Sequence, residues 1–520
     1  MLDQGLGSWT ARRARMTPHR VALRHGDAAI TYAELHDRVR RAADALAARG
    51  VQAGDRVAYL GPNHPSLVEV LFAATSLGAV FVPVNWRLAA PEVAHVLGDA
   101  DVTALVCAGS HAEVAAAALD GTDDVTVLVV DRGGAATGEW WEGYDEAVAA
   151  ATPTPRDRPT GLDDVAVLLY TSGTTGRPKG AMLTHGNITW NAVNVVIDTD
   201  LAGDEVSLVC APLFHVAALD MVLLPALMKG STVILESGFD AGEVLATIER
   251  ERVTCMFGVP TMFDRMAAHP DFATTDVSSL RRLLCGGAPV PLRTITTWLE
   301  RDVVFMQGYG MTETAPGALF LGAERAAEKA GTAGVPSFFT DVRVVRPDGT
   351  DVDVGERGEV IVQGPNVMAG YWRRPEATAE VIRDGWFHSG DVAVIDDDGY
   401  VRIVDRIKDM IVSGGENIYP AEVEDVLFDH PDVVEVAVIG IPDPGWGEVG
   451  RAIVVRTPGS DLTGEALLAH AEGRLARYKI PKSVVFADEL PRSGAGKVLK
   501  PILRDRFGEG ADGGQPDPTA

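Results

Sequence analysis

The segment Tyr170-Thr-Ser-Gly-Thr-Thr-Gly-Arg-Pro-Lys-Gly180 crowds three glycines, a lysine and a run of hydroxyls into eleven residues. Gly173, Gly176 and Gly180 let the backbone bend and approach a ligand closely, Thr171, Ser172, Thr174 and Thr175 bring hydroxyl groups, and Lys179 brings a cation. Gripping a triphosphate requires this combination. The spacing is not that of a Walker A loop, in which Gly-x-x-x-x-Gly-Lys is followed at once by Ser or Thr. A second polar cluster, Asp396-Asp-Asp-Gly399, invites a calcium reading, but its spacing misses an EF-hand loop and a hairpin turn accounts for it. Cys107, Cys210, Cys255 and Cys285 form no Cys-x-x-Cys pair and read as buried small hydrophobes rather than a zinc site or disulfide framework.

The loop follows the apolar run Val165–Leu169, which reads as a strand. Short apolar runs alternate with helical patterns on either side of it. Strand Arg56–Leu60, helix His64–Leu77 and strand Ala79–Val84 form one such unit, with Thr103–Cys107 and Val125–Val130 as further buried strands. The order repeats as strand Thr232–Leu235, helix Ala241–Arg252, strands Val253–Phe257 and Arg281–Leu284, helix Pro291–Glu300 and strand Val303–Met306. This alternation predicts βαβ units and mainly parallel sheets. Between about Val342 and Val404, short strands around Pro347-Asp-Gly349 and Asp397-Asp-Gly399 predict a small β-barrel or antiparallel sheet. After Asp405 the pattern is compact α+β: helix Ala421–Phe428, strands Val433–Ile439 and Ala452–Val455, helix Leu467–Leu475 and strand Ser483–Phe486. The predicted fold is α/β. A large N-terminal domain (1–404) holds two βαβ-type sheet subdomains plus the small β-barrel, an α+β C-terminal domain spans 405–507, and 508–520 is a disordered tail.

The chain has 520 residues and a formal net charge of −27, and 46% of its residues are hydrophobic. It is long enough for more than one core and too apolar to be disordered throughout. The acidic balance argues against a nucleic-acid partner, which would call for a basic stripe. No apolar stretch follows Arg12, Arg13 and Arg15, and no window reaches a spanning length, so the expectation is a cytoplasmic protein with no transmembrane segment and at most peripheral membrane contact.

The Gly-rich loop resembles that of the adenylate-forming superfamily, which comprises acyl-CoA synthetases, peptide adenylation domains and luciferases. The resemblance recurs in order along nearly the whole chain. Gln307-Gly-Tyr-Gly-Met-Thr-Glu-Thr314 resembles the family's adenine and magnesium motif, and Ser389-Gly-Asp391 its ribose motif. Asp405-Arg-Ile-Lys-Asp-Met-Ile-Val-Ser-Gly-Gly-Glu-Asn-Ile-Tyr-Pro420 resembles its hinge, and Pro491-Arg-Ser-Gly-Ala-Gly-Lys497 the motif with its mobile catalytic lysine. The texture is closest to bacterial medium- and long-chain fatty-acyl-CoA ligases.

The resemblance implies roles residue by residue. ATP would be held by Thr171, Ser172, Gly173, Thr174, Thr175, Gly176 and Lys179, with Gln307, Gly308, Tyr309 and Thr312 around the adenine. Asp391 would hold the ribose and Arg406 would anchor the nucleotide. Glu313 and Thr171 would hold Mg²⁺, since hard cations prefer oxygen ligands. A carboxylate would attack the α-phosphorus and expel pyrophosphate, with Lys497 stabilising the charge that builds there. Coenzyme A would then displace AMP after the C-terminal domain, mobile in this family, turns about Lys408 and presents Gly414 and Gly415 to the pantetheine route. Trp446 and Arg87 match positions that contact the nucleotide end of CoA in some ligases.

His215, in Ala211-Pro-Leu-Phe-His-Val-Ala-Ala-Leu219, stands where amino-acid-activating relatives usually have an aspartate, which argues against amino-acid substrates. It counts with Lys497 and Glu313 as a catalytic candidate. His215 and Val216 would line the acyl pocket with Gly258, Gly286, Gly287, Ala288 and Gly310. This wall is small and apolar, offers no cation for a second carboxylate, and leaves room for an extended chain or a flat ring. The expectation is a fatty-acyl-CoA ligase for medium- to long-chain acids that uses ATP, Mg²⁺ and CoA. An aryl-CoA ligase of benzoate or coumarate type and an acyl-AMP ligase serving a carrier protein are the alternatives. Partners are small molecules, and a homodimer is compatible with the reading.

Overall fold

The computed structural model describes residues 3–122, 124–131, 141–154, 159–171, 178–288, 290–413, 416–492 and 497–508. Ser172, Gly173, Thr174, Thr175, Gly176, Gly414 and Gly415 lie outside the described residues, as does the predicted tail after Gly508. Backbone contacts divide the chain into one unit of Met1–Val342 with Val362–Phe387 and a second of Arg343–Ile361 with His388–Ala520.

The first unit carries two large sheets. In the eight-stranded sheet, Val80–Val84, Arg56–Leu60, Ala104–Ala108 and Thr126–Val130 run parallel, and the antiparallel pair Val165–Thr171 and Lys179–Thr184 extends one side. The nine-stranded sheet has a parallel centre of Thr232–Leu235, Val206–Val209, Cys255–Gly258, Arg282–Cys285 and Phe305–Gly310. These strands are near-continuous apolar runs because helices such as Pro65–Ser76 and Ala241–Glu251 bury them. The run Thr232–Leu235 becomes a strand with the bounds its sequence predicts. All four cysteines are buried, and burial pushes the thiols of Cys107, Cys210 and Cys255 up to about 12, as expected of inert core residues.

In the second unit, Gly358–Gln363, Trp386–Ile395 and Val401–Arg406 belong to a five-stranded sheet. Asp396 Oδ1 accepts from the backbone of Asp398 and Tyr400, the hairpin turn expected of the acidic run. A compact α+β layer follows, with helix Pro420–Phe428 packed on the antiparallel strands Val433–Asp443 and Gly447–Arg456. Among the described residues no helix is long and apolar enough to cross a membrane.

Candidate active site

The parallel strands of the nine-stranded sheet end side by side. Val206–Val209, Cys255–Gly258, Arg282–Cys285 and Phe305–Gly310 are successive neighbours, so their carboxyl ends bring the Ala211–His215 segment, Gly258, Gly286 with Gly287, and Gly308 with Gly310 to one rim. Ligand sites of open α/β sheets form at such rims. Asn63 fixes the first segment: its side chain donates to Ala211 O at 2.9 Å and accepts from Leu213 N at 2.9 Å. His215 then packs tilted against Phe214, ring centroids 4.3 Å apart, and Phe214 meets Trp86 edge-on at 6.5 Å. Arg87 lies over the Trp86 ring at 4.9 Å, so the predicted CoA residue shares an aromatic cluster with the predicted acyl-wall histidine. Val216 is buried, whereas Gly287 and Ala288 are exposed.

Two of the glycines are there for backbone reasons. A Cβ on Gly310 would lie 1.4 Å from Pro316 O, so no other residue fits while the strand Phe305–Gly310 pairs with Gly317–Leu321. Gly287 has φ +85°, a conformation that L side chains avoid, although the space around it is open. Gln307, buried on the same strand, keeps an amide nitrogen with no hydrogen-bond partner among the described residues. Tyr309 follows it as the register partner of Leu319.

The Gly-rich loop joins two paired strands, with Thr171 the register partner of Lys179 at its base. Lys179 Nζ stands 5.2 Å from the centroid of the Tyr371 ring. The Tyr371 hydroxyl donates to Glu313 Oε1 at 2.7 Å, and Met368 N donates to Glu313 O at 2.9 Å. Burial and the Glu313 carboxylate both raise the Tyr371 pKa, so it remains a donor. Thr312 and Glu313 sit in a 3-10 turn that Thr314 Oγ1 closes by donating to Pro316 O at 2.7 Å. Lys179, Glu313 and Tyr371 therefore come together, and the sequence reading missed the tyrosine.

The second unit gathers the remaining candidates. Asp391, nearly buried, pairs with Arg406 across adjacent strands, Nε to Oδ1 at 3.1 Å. Ser389 Oγ donates to Val360 O at 2.7 Å and accepts from Asp391 N at 3.0 Å, which fixes the turn that aims the carboxylate. Lys408 occupies the short turn after Arg406. Lys497 lies within electrostatic reach of Arg406, Asp391, Lys408 and Asp409, and burial, reinforced by Arg406, pushes its ammonium down to about 8. Trp446 is exposed at the tip of the hairpin between Val433–Asp443 and Gly447–Arg456, where Asp443 Oδ1 accepts from Gly445 and Trp446 backbones.

The family model of the AMP-binding enzyme matches residues 10–372, and that of the AMP-binding enzyme C-terminal domain matches residues 422–497. The chain belongs to the AMP-binding enzyme family. It is 59% identical over 508 residues to a feruloyl-CoA synthase from Amycolatopsis sp., covering 98% of this chain and 100% of that protein. A long-chain-fatty-acid–CoA ligase of Mycobacterium tuberculosis is 40% identical over 509 residues, covering 97% of this chain and 99% of that one. The solved structure of o-succinylbenzoate coenzyme A synthetase from Bacillus subtilis, in complex with ATP and magnesium ion, superimposes with a TM-score of 0.86 at 34% identity, covering 96% and 99% of the two chains. This member of the AMP-binding enzyme family is an AMP-forming acyl-CoA synthetase with ATP and CoA as co-substrates.

Among the described residues no group of three or more His, Cys, Asp or Glu converges as a metal centre. A Mg²⁺ that arrives with ATP keeps waters and phosphate oxygens and asks the protein for only one or two carboxylates. Glu313, whose Oε1 accepts from the Tyr371 hydroxyl, would be such a carboxylate.

Proposed function

We propose that the chain is an aryl-CoA ligase whose substrate is a hydroxycinnamate-type acid. The observation that carries this reading is the 59% identity to a feruloyl-CoA synthase over almost the entire chain, against 40% to a long-chain-fatty-acid–CoA ligase. It favours the aryl alternative over the fatty-acid expectation. Ala217, Gly287 and Ala288 are small and compatible with a flat ring, as they are with an extended chain.

In this reading Gly258, Gly286–Ala288 and Gly310 take the acid, and Thr171 to Lys179 together with Gln307–Thr312 take ATP. Asp391 accepts hydrogen bonds from the ribose hydroxyls while Arg406 holds Asp391 in place. Carboxylate attack on the α-phosphorus expels pyrophosphate, and Lys179 and Lys497 stabilise the phosphoryl charge. Glu313 and Thr171 would hold Mg²⁺, which would supply neutralisation of the phosphate charge. Thiol attack on the acyl carbon then releases AMP. His215 and its aromatic neighbours line the thiol's approach, and Lys408 is the pivot between the two half-reactions.

The test is pyrophosphate release with hydroxycinnamates, benzoates and saturated acids from acetate to palmitate, each with and without CoA. Highest kcat/KM for hydroxycinnamates with CoA-dependent thioester formation supports the reading. Highest kcat/KM for palmitate would restore the fatty-acid reading.

A further inference from the structure

Tyr170 opens the Gly-rich segment and carries no role in the reading above. Its ring lies across its register partner Gly180, where a Cβ would come 3.2 Å from Tyr170 Cζ, so the glycine leaves room for the tyrosine. The Tyr170 hydroxyl donates to Asp99 Oδ2 at 2.9 Å, and burial together with that carboxylate raises its pKa, so it stays a donor. Local rules disfavour an acid at position 99. It stands in the last turn of helix Ala90–Ala100, where the helix dipole opposes an anion, and its side chain is only 10% exposed. Arg374 holds it there, donating to Oδ1 at 2.6 Å.

The same helix end also grips the far end of the segment. Trp372 Nε1 donates to Asp99 O at 3.1 Å, capping a carbonyl that the helix leaves open, while Trp372 N donates to Gly180 O at 2.8 Å. The next residue, Arg373, donates to Asp101 Oδ2 at 3.0 Å. Arg373 and Asp101 have φ of +53° and +57°, a conformation uncommon outside glycine that persists where the surroundings impose it. Both ends of the Gly-rich segment are thus tied to one point. Tyr371, beside Trp372, ties that point to Glu313 as well.

We propose that Asp99 is a positioning residue for ATP: through Tyr170 and Arg374 it fixes the Gly-rich segment in the form that receives the phosphates. The inference rests on the reading above in which this segment takes ATP. A stretch with three glycines loses much chain entropy when it closes on a ligand, and ends fixed in advance lower that cost.

The experiment measures the Kd for ATP by calorimetry on the full chain. The wild type is compared with Lys179→Ala, Tyr170→Phe, Asp99→Asn, Asp99→Ala and the double variant of Asp99→Ala with Tyr170→Phe. Thermal midpoints and the conversion of supplied acyl-adenylate and CoA are recorded for each. Asp99→Ala is expected to weaken ATP about tenfold, and Asp99→Asn, which keeps an acceptor for Tyr170, by less. Tyr170→Phe should also weaken ATP, and the double variant should be no weaker than Asp99→Ala alone, because both changes break the same bond. Acyl-adenylate conversion should change far less. Additive losses, or a conversion that falls as far as the ATP affinity, overturn the proposal and make Asp99 a residue of the fold. An unchanged Kd in the Asp99 and Tyr170 variants overturns it while Lys179→Ala still weakens ATP. An unchanged Kd in Lys179→Ala as well takes ATP away from the segment and overturns the reading and the inference together.

Discussion

Tyr371 and Glu313 are joined by a 2.7 Å hydrogen bond, although 58 residues separate them in the chain. The bond occupies one carboxylate oxygen and fixes the direction of the other. Because Tyr371 pairs with Ala181, two residues past Lys179, one hydrogen bond links the cation of the Gly-rich hairpin to the carboxylate of the Gln307–Thr314 segment.

Tyr371→Phe should leave the fold intact and let Glu313 rotate. A lost hydrogen bond to a charged group is worth about 1.5–3 kcal/mol. The Mg²⁺ concentration for half-maximal pyrophosphate release should rise about tenfold, with a smaller change in the maximal rate. An unchanged magnesium curve would remove Tyr371 from the positioning of Glu313.

Lys497→Ala should cut thioester formation from ATP, acid and CoA by about 10²–10³, the cost of losing one well-placed electrostatic contact in phosphoryl chemistry. Conversion of supplied acyl-adenylate and CoA should stay near the wild-type rate. Equal loss in both assays would give Lys497 a role in the fold or in a shared step.

The pH dependence of adenylation follows from the same lysine. Its ammonium, at about 8 in the folded protein, loses its proton above that pH, so kcat/KM for ATP should fall about tenfold per pH unit beyond it. Lys497→Arg should abolish that fall. Stability moves the other way: between about pH 8 and about 10.4 the unfolded chain holds this proton and the folded one does not, so the group's contribution to stability rises with pH across that window. Below about 8 both states are protonated and the full cost of burying the charge applies. A flat kcat/KM profile to pH 10 in the wild type would show that Lys497 is not the titrating cation.

Asp391→Asn should raise KM for ATP about tenfold or more, since the carboxylate that orients Arg406 is also the proposed ribose acceptor. The parallel substitution Arg406→Lys keeps the charge but loses the planar fork, and should give a smaller rise. A KM for ATP unchanged by both would confine the pair to the architecture of its sheet.

The buried parallel strands were legible in the sequence because burial on both faces leaves nothing but apolar residues, as in Arg56–Leu60 and Thr232–Leu235. The strands of the second unit read too short. Val433–Asp443 runs on through Gly440 and Pro442, and Gly447–Arg456 begins well before Ala452, because two-stranded pairing holds glycine and proline that apolar counting rejects. Glu313 and Asp391 stood out as candidates because they are flanked by glycines and hydroxyls in dense local patterns. Tyr371 did not, because a two-residue strand, Gly370–Tyr371, has no periodicity and its partner lies far away in sequence.

The impossible Cβ at Gly310 bears on how this enzyme could be retuned. A saturation library at that codon would return only the parent among folded clones, whatever acid was used for selection. Gly287 would be nearly as barren, since its open surroundings invite larger side chains that its backbone refuses. Val259, whose Cγ1 is the nearest atom to a Cβ on Gly287, and Ala217 carry no such constraint. A campaign to reshape the slot gains most from sampling those two codons together, and leaving the glycines fixed keeps its diversity for variants that fold.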